Sequence, residues 1–555
     1  MMLKNKQISI RISFLYYFAI LVILIVAFYS SLWELWEQDI FWQIRAGNEF
    51  LQTFEFQTRD LWSYTAYGDP WFNYQWLSTI VIATIHNVAD VSGLIYFRGI
   101  LIFLLLIISF KIIRSVSRTN FFLIAISLLP VFYSAIVPRI QIRPEMFVIL
   151  LNGALVLLWV SLKSYRVKVV ASLFLVLLAS NFHPGLAPFL MCISIAFSWK
   201  GNKHFLNWLI FCIAIFLSFF CHPYAKELPY FLLRHLFYQA HTYLPNIEHL
   251  PLSLNDFNIS VSSLFAWSWA TLTLCGSYLI FQKKYENFLP SSYRNKLFII
   301  PLHLLLTALC FNRPRVIPFQ LIFLLPVLSI YFSIIFEKVT SKLKRYIFIC
   351  LSLSVGALQI FLDKRPLGFQ INSPLYPLET VDFIQKHHPQ SNILHMPKWG
   401  DYLLGAIPEY KVFFDAREIQ YDKIQFIAHN MYNSPQMMNE IVEHYGIRTV
   451  LLASDFFLMT LKKGDAPWSR REAFFPSSKW AVVSYDNNSF LLLRRIPEHE
   501  ELIKDFEYHY LIPDIPISFY LKSSSRSKET DIQFLSELNR CRKEHPHLRF
   551  CFELN

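Results

Sequence analysis

The sequence predicts a polytopic α-helical membrane protein with a separate C-terminal α/β domain outside the cytoplasm. The 555-residue chain is 54% hydrophobic and 16% charged, whereas soluble proteins are about 25% charged. Apolar runs that approach the bilayer-crossing length of about 20 residues recur up to residue 362. Beyond that residue acidic side chains become frequent and no spanning run occurs, which indicates a water-exposed domain.

The number and positions of the membrane spans follow from these apolar runs. We expect about eleven spans, several of them short for a full crossing. The stretch 75–90 is apolar but shorter still, and we expect it to lie in the membrane interface; a genuine short span there is the open alternative. The expected spans are residues 12–33, 93–113, 120–137, 144–162, 168–182, 185–199, 205–221, 262–281, 297–311, 316–335 and 346–362.

Charge patterning orients this arrangement. Lysine and arginine cluster on alternate loops, and such clusters mark the cytoplasmic side of a membrane protein. We therefore expect a cytoplasmic N-terminus and, with an odd number of spans, a C-terminal domain on the outer side. The net charge of +12 then comes largely from the excess of lysine and arginine on the cytoplasmic loops. It requires no nucleic acid as partner.

Three segments make up the expected domain organisation. Residues 1–362 form the membrane domain, including a first outer loop at 34–92; residues 363–520 form the α/β domain, and 521–555 a tail with a short helix. Cys541 and Cys551 in the tail can pair if that compartment is oxidising. Within the α/β domain we expect helices at 376–386 and 437–445, strands at 392–396, 411–414 and 449–452, and a hairpin at 480–494.

The first outer loop carries the candidate catalytic acids. Glu37 and Asp39 directly follow the first span, beside Trp42, and Asp60 lies further along the same loop. A carboxylate at the boundary of the membrane suits general-base work. The alternative is an ordinary interfacial loop, since tryptophan and tyrosine gather at membrane interfaces in any case.

Basic residues also occur on the expected outer loops, where they are costly unless they bind an anion or pair with an acid. Arginine suits phosphate because its planar fork bonds two oxygens at once. The alternative is that these side chains snorkel to lipid headgroups or pair with Glu145, Glu227 and Asp39. The expected ligands of a lipid phosphate are Arg139, Arg143, His183, Arg313 and Arg315.

Further candidates could contact an acceptor. Glu248 lies in the long outer loop 222–262 and is a candidate second carboxylate, with a solvated loop acid as the open alternative. Four residues follow the first two expected strands, at the end of a sheet where ligands bind in open α/β folds; an ordinary salt bridge within this set is equally open. They are Trp399, Tyr402, Asp415 and Arg417.

The stretch from Glu37 to Leu77 resembles the first extracytoplasmic loop of bacterial GT-C-fold glycosyltransferases, and most closely that of a largely uncharacterised bacterial branch. This branch usually has His at position 43 and His-Glu at positions 74–75, where this chain has Gln43 and Tyr74-Gln75. The matching residues are Glu37 and Asp39, Phe41 and Trp42, Asp60, Ser63, Tyr64 and Thr65, and Pro70, Trp71, Trp76 and Leu77.

The resemblance implies a GT-C-like membrane domain and a membrane glycosyltransferase. Such an enzyme takes a sugar from a polyprenyl-phosphate donor and transfers it, with inversion, to an extracytoplasmic glycan, lipid or protein. Asp39 would be the general base, oriented by Glu37, and the outer arginines would hold the donor phosphate. No cofactor is certain, with Mg²⁺ or Mn²⁺ open; the partners are the lipid-linked sugar and membrane lipid, and the location is the bacterial inner membrane.

Two alternatives to glycosyl transfer stay open. One is a non-catalytic carrier or flippase of lipid-linked glycans, or a scaffold whose outer domain binds polysaccharide. A transporter should show repeats and acids at mid-span, and the sequence shows neither. The other is a related enzyme that has lost activity, because Gln43 and Gln75 are neutral where the family has ionisable residues.

Overall fold

The computed structural model describes residues 2–117, 121–238, 252, 264–339, 341–417, 430–456, 467–511, 528–545 and 551. Its contacts divide the chain into two compact units. The first unit comprises Met1–Leu35, Tyr74–Phe237 and Pro245–Gln370, and the second comprises Trp36–Asn73, Tyr238–Leu244 and Ile371–Asn555. Much of the first outer loop, which the sequence analysis places in the membrane domain, therefore belongs to the same unit as the C-terminal part of the chain.

The first unit is helical. Most of its helices are strongly apolar, and their buried faces form one continuous core. In chain order the helices up to residue 362 are α1 (Met2–Tyr29), α2 (Ile40–Thr53, in the second unit), α3 (Trp76–Val116), α4 (Phe121–Ile136), α5 (Pro144–Ser161), α6 (Tyr165–Phe182), α7 (Ala187–Ser198), α8 (Phe205–Phe219), α9 (Leu228–Tyr238), α10 (Leu264–Phe281), α11 (Lys296–Asn312), α12 (Ile317–Lys338) and α13 (Lys342–Leu362).

The membrane character of this unit is confirmed. Within the described residues, 8 helices are long and apolar enough to cross a bilayer. Three shorter apolar helices, Phe14–Tyr29, Ala187–Ser198 and Lys296–Asn312, coincide with the expected spans 12–33, 185–199 and 297–311. The total of eleven spans and the orientation of the termini stay predictions.

The stretch 75–90, expected to lie in the interface, is the first part of the 41-residue helix α3. The helical backbone breaks at Ala89 and Asp90, and Asp90 has a φ of 52°. Gly93 permits the tight packing at this break, because a Cβ there would lie 2.5 Å from the Cβ of Ala89. The break separates the predicted interfacial helix from the predicted span that follows it.

The second unit has the expected mixture of helices and strands. Its sheet has the strand order β1-β2-β4-β3, with β1 and β2 parallel and the other pairs antiparallel. The strands are β1 (Ile393–His395), β2 (Thr449–Ala453), β3 (Trp480–Tyr485) and β4 (Ser489–Arg494). The helices are α14 (Leu378–His387), α15 (Gly400–Ala406), α16 (Pro435–His444), α17 (Pro467–Phe474), α18 (Glu500–Phe506) and α19 (Lys528–Glu544).

The strand expected at 411–414 is replaced by isolated bridges. Val412 bridges Ile393 of β1 on one side and Ser63 of the first loop on the other, both in parallel. The N–H of Val412 donates to Trp62 O at 3.0 Å, and the N–H of Tyr64 donates to Val412 O at 3.1 Å. The first loop thus extends the edge of the sheet, and this hydrogen bonding fixes the segment around residues 60–65 within the second unit.

The C-terminal tail is fastened to the second unit. Cys541 and Cys551 form a disulfide, as the sequence allowed. The carboxylate of Glu537 on α19 accepts hydrogen bonds from the N–H groups of His509, Tyr510 and Leu511, at 2.8–2.9 Å. These bonds satisfy backbone donors that follow α18 and hold α19 in place.

Candidate active site

Helix α2 places Asp39 at its N-terminus, in the second unit. Asp39 is the N-cap residue of this helix, whose buried face begins with Ile40 and Phe41. The ring of Phe41 contacts Tyr402 of α15 at a centroid distance of 5.2 Å. Gly405 on α15 allows this approach, because a Cβ there would lie 3.1 Å from the Phe41 ring. The start of α2, and with it Asp39, is thereby packed against α15.

Asp39 differs from the neighbouring acids in its access to solvent. Asp39 is partly exposed, whereas Glu37 and Asp401 are each 2% exposed. Burial raises the pKa of the Asp401 carboxyl well above its usual range, and the negative charges of Asp415 and Asp39 raise it further. Two nearby carboxylates resist ionising together, so burial and the neighbouring acids favour the neutral form of Asp401.

Arg417 holds two further acids together in the interior of the second unit. Its Nε lies 2.8 Å from Asp415 Oδ1, and its Nη2 lies 2.6 Å from Asp415 Oδ2 and 3.1 Å from Asp60 Oδ1. The guanidinium also contacts two adjacent rings, at 4.4 Å from the centroid of Trp62 and 4.6 Å from that of Trp71. Both carboxylates and the cation are buried, so this group is a pre-formed ion pair network.

Local hydrogen bonds orient the Asp60 carboxylate toward Arg417. Oδ1 of Asp60 accepts the N–H of Trp62 at 2.9 Å, and Oδ2 accepts the hydroxyl of Ser63 at 2.5 Å. The hydroxyl of Ser63 in turn accepts the N–H of Ala66 at 3.1 Å. The run from Asp60 to Thr65 is therefore a turn that presents one acid to the interior.

Gly400 allows the start of α15 to lie directly against the backbone of Phe414 and Asp415. A Cβ at this position would lie 2.1 Å from Phe414 O and 3.0 Å from the Cα of Asp415, so the backbones approach too closely for any side chain. This contact allows Oδ1 of Asp401, the next residue, to accept the N–H of Ala416 at 3.1 Å. The glycine thus brings Asp401 beside Asp415 and Arg417.

The aromatic candidates pack within the second unit. Trp399 is fully buried and donates through Nε1 to Leu375 O at 3.0 Å. Tyr402 packs on Phe41 and Tyr376, and burial raises its pKa to about 12. The ring of Trp42 lies edge-on to Trp71 at 6.2 Å. Trp399 is therefore a core residue, while Trp42 and Tyr402 shape the surroundings of the acids.

Tyr376 is a component of the site that sequence reasoning missed. Its side chain is fully buried, and its hydroxyl has no hydrogen-bond partner within the described residues. Burial raises its pKa, and the charges of Glu37, Asp401 and Asp39 raise it further, so these acids lie near its side chain. No motif marks Tyr376 in the sequence, since it lies 25 residues before Asp401 and reaches the acids through the tertiary fold.

The first unit brings two of the expected phosphate ligands, Arg315 and His183, close to Glu145. Arg315 Nη1 lies 3.5 Å from Glu145 Oε1, which is the pairing left open as an alternative. Burial lowers the pKa of His183 to about 4. The positive charge of Arg315 also lowers this pKa, whereas the negative charge of Glu145 raises it. His183 is therefore neutral at pH 7 and offers a hydrogen bond rather than a charge.

Arg313 stands apart from this ion pair. Burial and the neighbouring Arg315 lower its pKa, so two guanidinium groups lie close together. Within the described part of the chain, Arg313 has no side-chain ion pair. Two adjacent cations and one acid leave an excess of positive charge, which is the electrostatic setting for an anion.

The remaining sequence candidates have separate positions. Arg139 ends a 3-10 turn after α4, and Arg143 is the N-cap residue of α5. Both are partly exposed. Glu248 lies outside the described residues.

Residues at the end of α6 and after α8 hold the start of α3. Trp76 Nε1 donates to Asn181 Oδ1 at 2.9 Å, and the hydroxyl of Ser78 donates to Phe182 O at 2.9 Å. His222 Nε2 lies 3.1 Å from Tyr74 O. This supporting role depends on contacts between residues far apart in the chain, which the sequence alone does not reveal.

Solved structures resemble this chain over most of its length. The oligosaccharyltransferase of Archaeoglobus fulgidus in the apo form has a TM-score of 0.55 at 11% identity, over 95% of this chain and 84% of that chain. Archaeal oligosaccharyltransferase AglB from the same organism, in complex with an inhibitory peptide and a dolichol-phosphate, has a TM-score of 0.56 at 10% identity, over 95% and 83%. The chain has a GT-C fold.

ArnT from Cupriavidus metallidurans bound to undecaprenyl phosphate has a TM-score of 0.49 at 13% identity, over 85% of this chain and 97% of that chain. No family model matches the sequence, and no curated protein matches it. At these identities the GT-C likeness concerns the fold, as the sequence resemblance predicted. The activity has to be argued from the chain's own residues.

Proposed function

We propose that this protein is an inverting membrane glycosyltransferase that uses a polyprenyl-phosphate sugar donor and an extracytoplasmic glycan, lipid or protein acceptor. The observation that carries the proposal is the partly exposed Asp39 beside the buried Asp401, whose pKa is raised by burial and by the neighbouring acids. A solvent-accessible carboxylate next to one that burial favours in the neutral form is a suitable general base. The GT-C fold adds support, since AglB with that fold was solved with a dolichol-phosphate.

The proposed reaction is one displacement at the anomeric carbon. An acceptor oxygen or nitrogen bonds to that carbon from the face opposite the phosphate. The bond from the carbon to the phosphate oxygen breaks, and its electron pair leaves with the polyprenyl phosphate. Asp39 takes the proton of the acceptor and becomes a carboxylic acid, and the single displacement inverts the anomeric configuration.

Buried groups in the second unit keep Asp39 available for this step. Arg417 neutralises much of the charge of Asp60 and Asp415, and burial raises the pKa of Asp401, which favours its neutral form. Without this arrangement several adjacent carboxylates would repel one another and raise the cost of keeping Asp39 ionised. In this proposal Asp401 and Arg417 are positioning residues, and Asp39 touches the acceptor.

The donor phosphate is proposed to bind the basic residues of the first unit. Arg313 and Arg315 lie close together with Glu145 balancing one charge. A phosphate carries enough negative charge to satisfy the remaining cation, and each guanidinium can donate two hydrogen bonds to it. His183, which is neutral, can donate one more, and Arg139 and Arg143 complete the proposed set.

A divalent cation enters no step of this mechanism. The oligosaccharyltransferase of Archaeoglobus fulgidus was also solved in complex with Zn and sulfate, and carboxylates are the usual ligands of Mg²⁺. Here, however, Arg417 occupies oxygens of both Asp60 and Asp415. In the part of the chain that the structure describes, no group of three or more His, Cys, Asp or Glu side chains could hold a metal ion.

A donor panel tests the proposal. The full chain in nanodiscs is supplied with polyprenyl-phosphate-linked hexoses and pentoses and with envelope glycans, lipids and proteins as acceptors. We expect transfer from at least one donor, with the anomeric configuration of the product inverted when it is read by NMR. Retained configuration would contradict a single displacement with Asp39 as base. Movement of a lipid-linked sugar across vesicles without transfer would instead support the carrier alternative.

A further inference from the structure

A cavity of about 340 Å³ lies within the first unit, between α1, the end of α4 and the end of α13. Ligand pockets are commonly about 300–1,000 Å³. Both α1 and α13 pack against α4, so the cavity is the gap between two helices that rest on a third. Gly356 of α13 makes one of these contacts tight, because a Cβ there would lie 2.8 Å from the Cβ of Pro130.

The wall of the cavity along α1 is apolar and open to the surroundings. Ile25, Val26 and Tyr29 are 52%, 44% and 63% exposed. On an apolar membrane helix such exposed side chains face lipid tails, which are as apolar as leucine. A groove of this kind between membrane helices is filled by an acyl chain, since water gains no hydrogen bonds from an apolar wall.

The other end of the cavity is polar and carries a fixed ion pair. Arg365 Nε lies 2.8 Å from Asp363 Oδ1, and the guanidinium lies 3.4 Å from the ring centroid of Trp33. The side chains of Arg365 and Asp363 are 20% and 17% exposed, so a ligand can reach both charges. The hydroxyls of Ser30 and Tyr133, 2.8 Å apart, also line this end.

The charges at this end favour a headgroup that carries both signs. Asp363 and Arg365 together have no net charge, so an anionic headgroup gains little long-range attraction. Arg98 lies on the Trp33 ring as well, at 4.1 Å, but it is fully buried and does not line the cavity. Its Nε donates to Ser31 O at 2.9 Å, where it offsets the negative C-terminal end of α1.

We propose that this cavity binds one phosphatidylethanolamine molecule of the surrounding bilayer. One acyl chain lies between α1 and α13, the phosphate contacts Arg365, and the ammonium donates hydrogen bonds to Asp363. Charge-assisted contacts of this kind are among the stronger hydrogen bonds of proteins. The site shares no residue with the proposed donor-phosphate set, and its occupancy does not depend on glycosyl transfer.

Native mass spectrometry tests the site on the full chain released from nanodiscs that contain equal phosphatidylethanolamine and phosphatidylglycerol with a trace of polyprenyl phosphate. We expect one retained phosphatidylethanolamine per chain. Asp363→Asn gives the end of the cavity a net positive charge and should reverse the preference toward phosphatidylglycerol by roughly tenfold or more, the worth of one charge-assisted contact. Glu286→Gln, which removes the acid of another ion pair of this unit, is the matched control and should change nothing.

A second variant keeps the test independent of the ion pair. Ile360→Trp places a larger side chain in the apolar part of the cavity and should abolish retention of the lipid while leaving the ion pair intact. Three results would overturn the proposal: a wild-type chain that retains no lipid, one that prefers phosphatidylglycerol or polyprenyl phosphate, or an Ile360→Trp variant that retains phosphatidylethanolamine as the wild type does.

Discussion

Arg417 in the second unit and Arg313 in the first are held in opposite ways. Arg417 is buried, bonded to Asp415 and Asp60, and in cation–π contact with two tryptophan rings. Arg313 is partly exposed and has no side-chain ion pair within the described residues. A fully paired cation supports structure, whereas a cation without a protein counter-ion can bind an external anion. The comparison predicts that substitution of Arg417 lowers the stability of the fold, whereas substitution of Arg313 weakens the binding of the donor.

The largest expected effect is on stability at Arg417. Arg417→Met leaves Asp60 and Asp415 buried without their cation, which costs about 3–5 kcal/mol. We expect the free energy of unfolding of the full chain to fall by that amount, measured by tryptophan fluorescence during denaturation in detergent. Arg494→Met is the matched control, because Arg494 pairs with Glu443 at the surface of the same unit and such pairs contribute about 0–1 kcal/mol. Equal losses in both variants would contradict the comparison.

The next effect is on donor binding at Arg313. Arg313→Ala removes one charge-assisted contact to the proposed phosphate and should weaken the affinity for the donor by about 1.5–3 kcal/mol. The thermal unfolding midpoint should stay unchanged, since no ion pair is lost. Calorimetric titration of the donor into nanodiscs measures the difference. Lys283→Ala, at an exposed lysine after α10, is the control; a donor affinity unaffected by Arg313→Ala would favour snorkelling to lipid headgroups.

A smaller and pH-dependent effect is expected at Asp401. Its folded-state pKa is raised above an unfolded value of about 3.9, so the folded state holds the proton more tightly. The stability that this group contributes is therefore lost as the pH rises from its unfolded-state pKa to its raised folded-state pKa. Asp401→Asn removes the titration, and its thermal midpoint relative to wild type should increase with pH. A difference that is constant across this window would show that Asp401 is ionised in the fold.

The smallest effect is expected at Tyr376. Tyr376→Phe removes a buried hydroxyl that has no hydrogen-bond partner in the described structure, so the free energy of unfolding should change by less than about 1 kcal/mol. Tyr410→Phe is the control, because that hydroxyl donates to Pro389 O at 2.7 Å and its loss should be the more destabilising. A larger loss at Tyr376 would mean that its hydroxyl makes a bond in solution.

Much of the fold could be predicted from the sequence because the patterns that indicate it are local. Apolar runs, alternating loop charge and the Asp486–Ser489 turn of the hairpin each lie within a short stretch, and the helices and strands appear close to the predicted positions. The strand expected at 411–414 differs because its pairing with Ser63 and Ile393 comes from distant residues. Local propensity cannot show such pairing.

The candidate site could be predicted only in part from the sequence. Asp39, Asp60, Asp415 and Arg417 stand in recognisable motifs, but the sequence did not reveal that Arg417 joins Asp60 to Asp415. That bond spans 357 positions of the chain. The close backbone approach at Gly400 that places Asp401, and the burial that raises the pKa of Asp401, likewise depend on tertiary packing.

The central claim, that Asp39 is the general base, is tested most directly by the single-turnover rate of transfer in Asp39→Asn. The asparagine keeps size and hydrogen bonding but cannot take the proton. We expect the rate to fall by roughly 100-fold or more, with donor affinity and thermal midpoint unchanged, while Asp505→Asn at an exposed position of the same unit transfers at the wild-type rate. Transfer by Asp39→Asn at the wild-type rate would contradict the account.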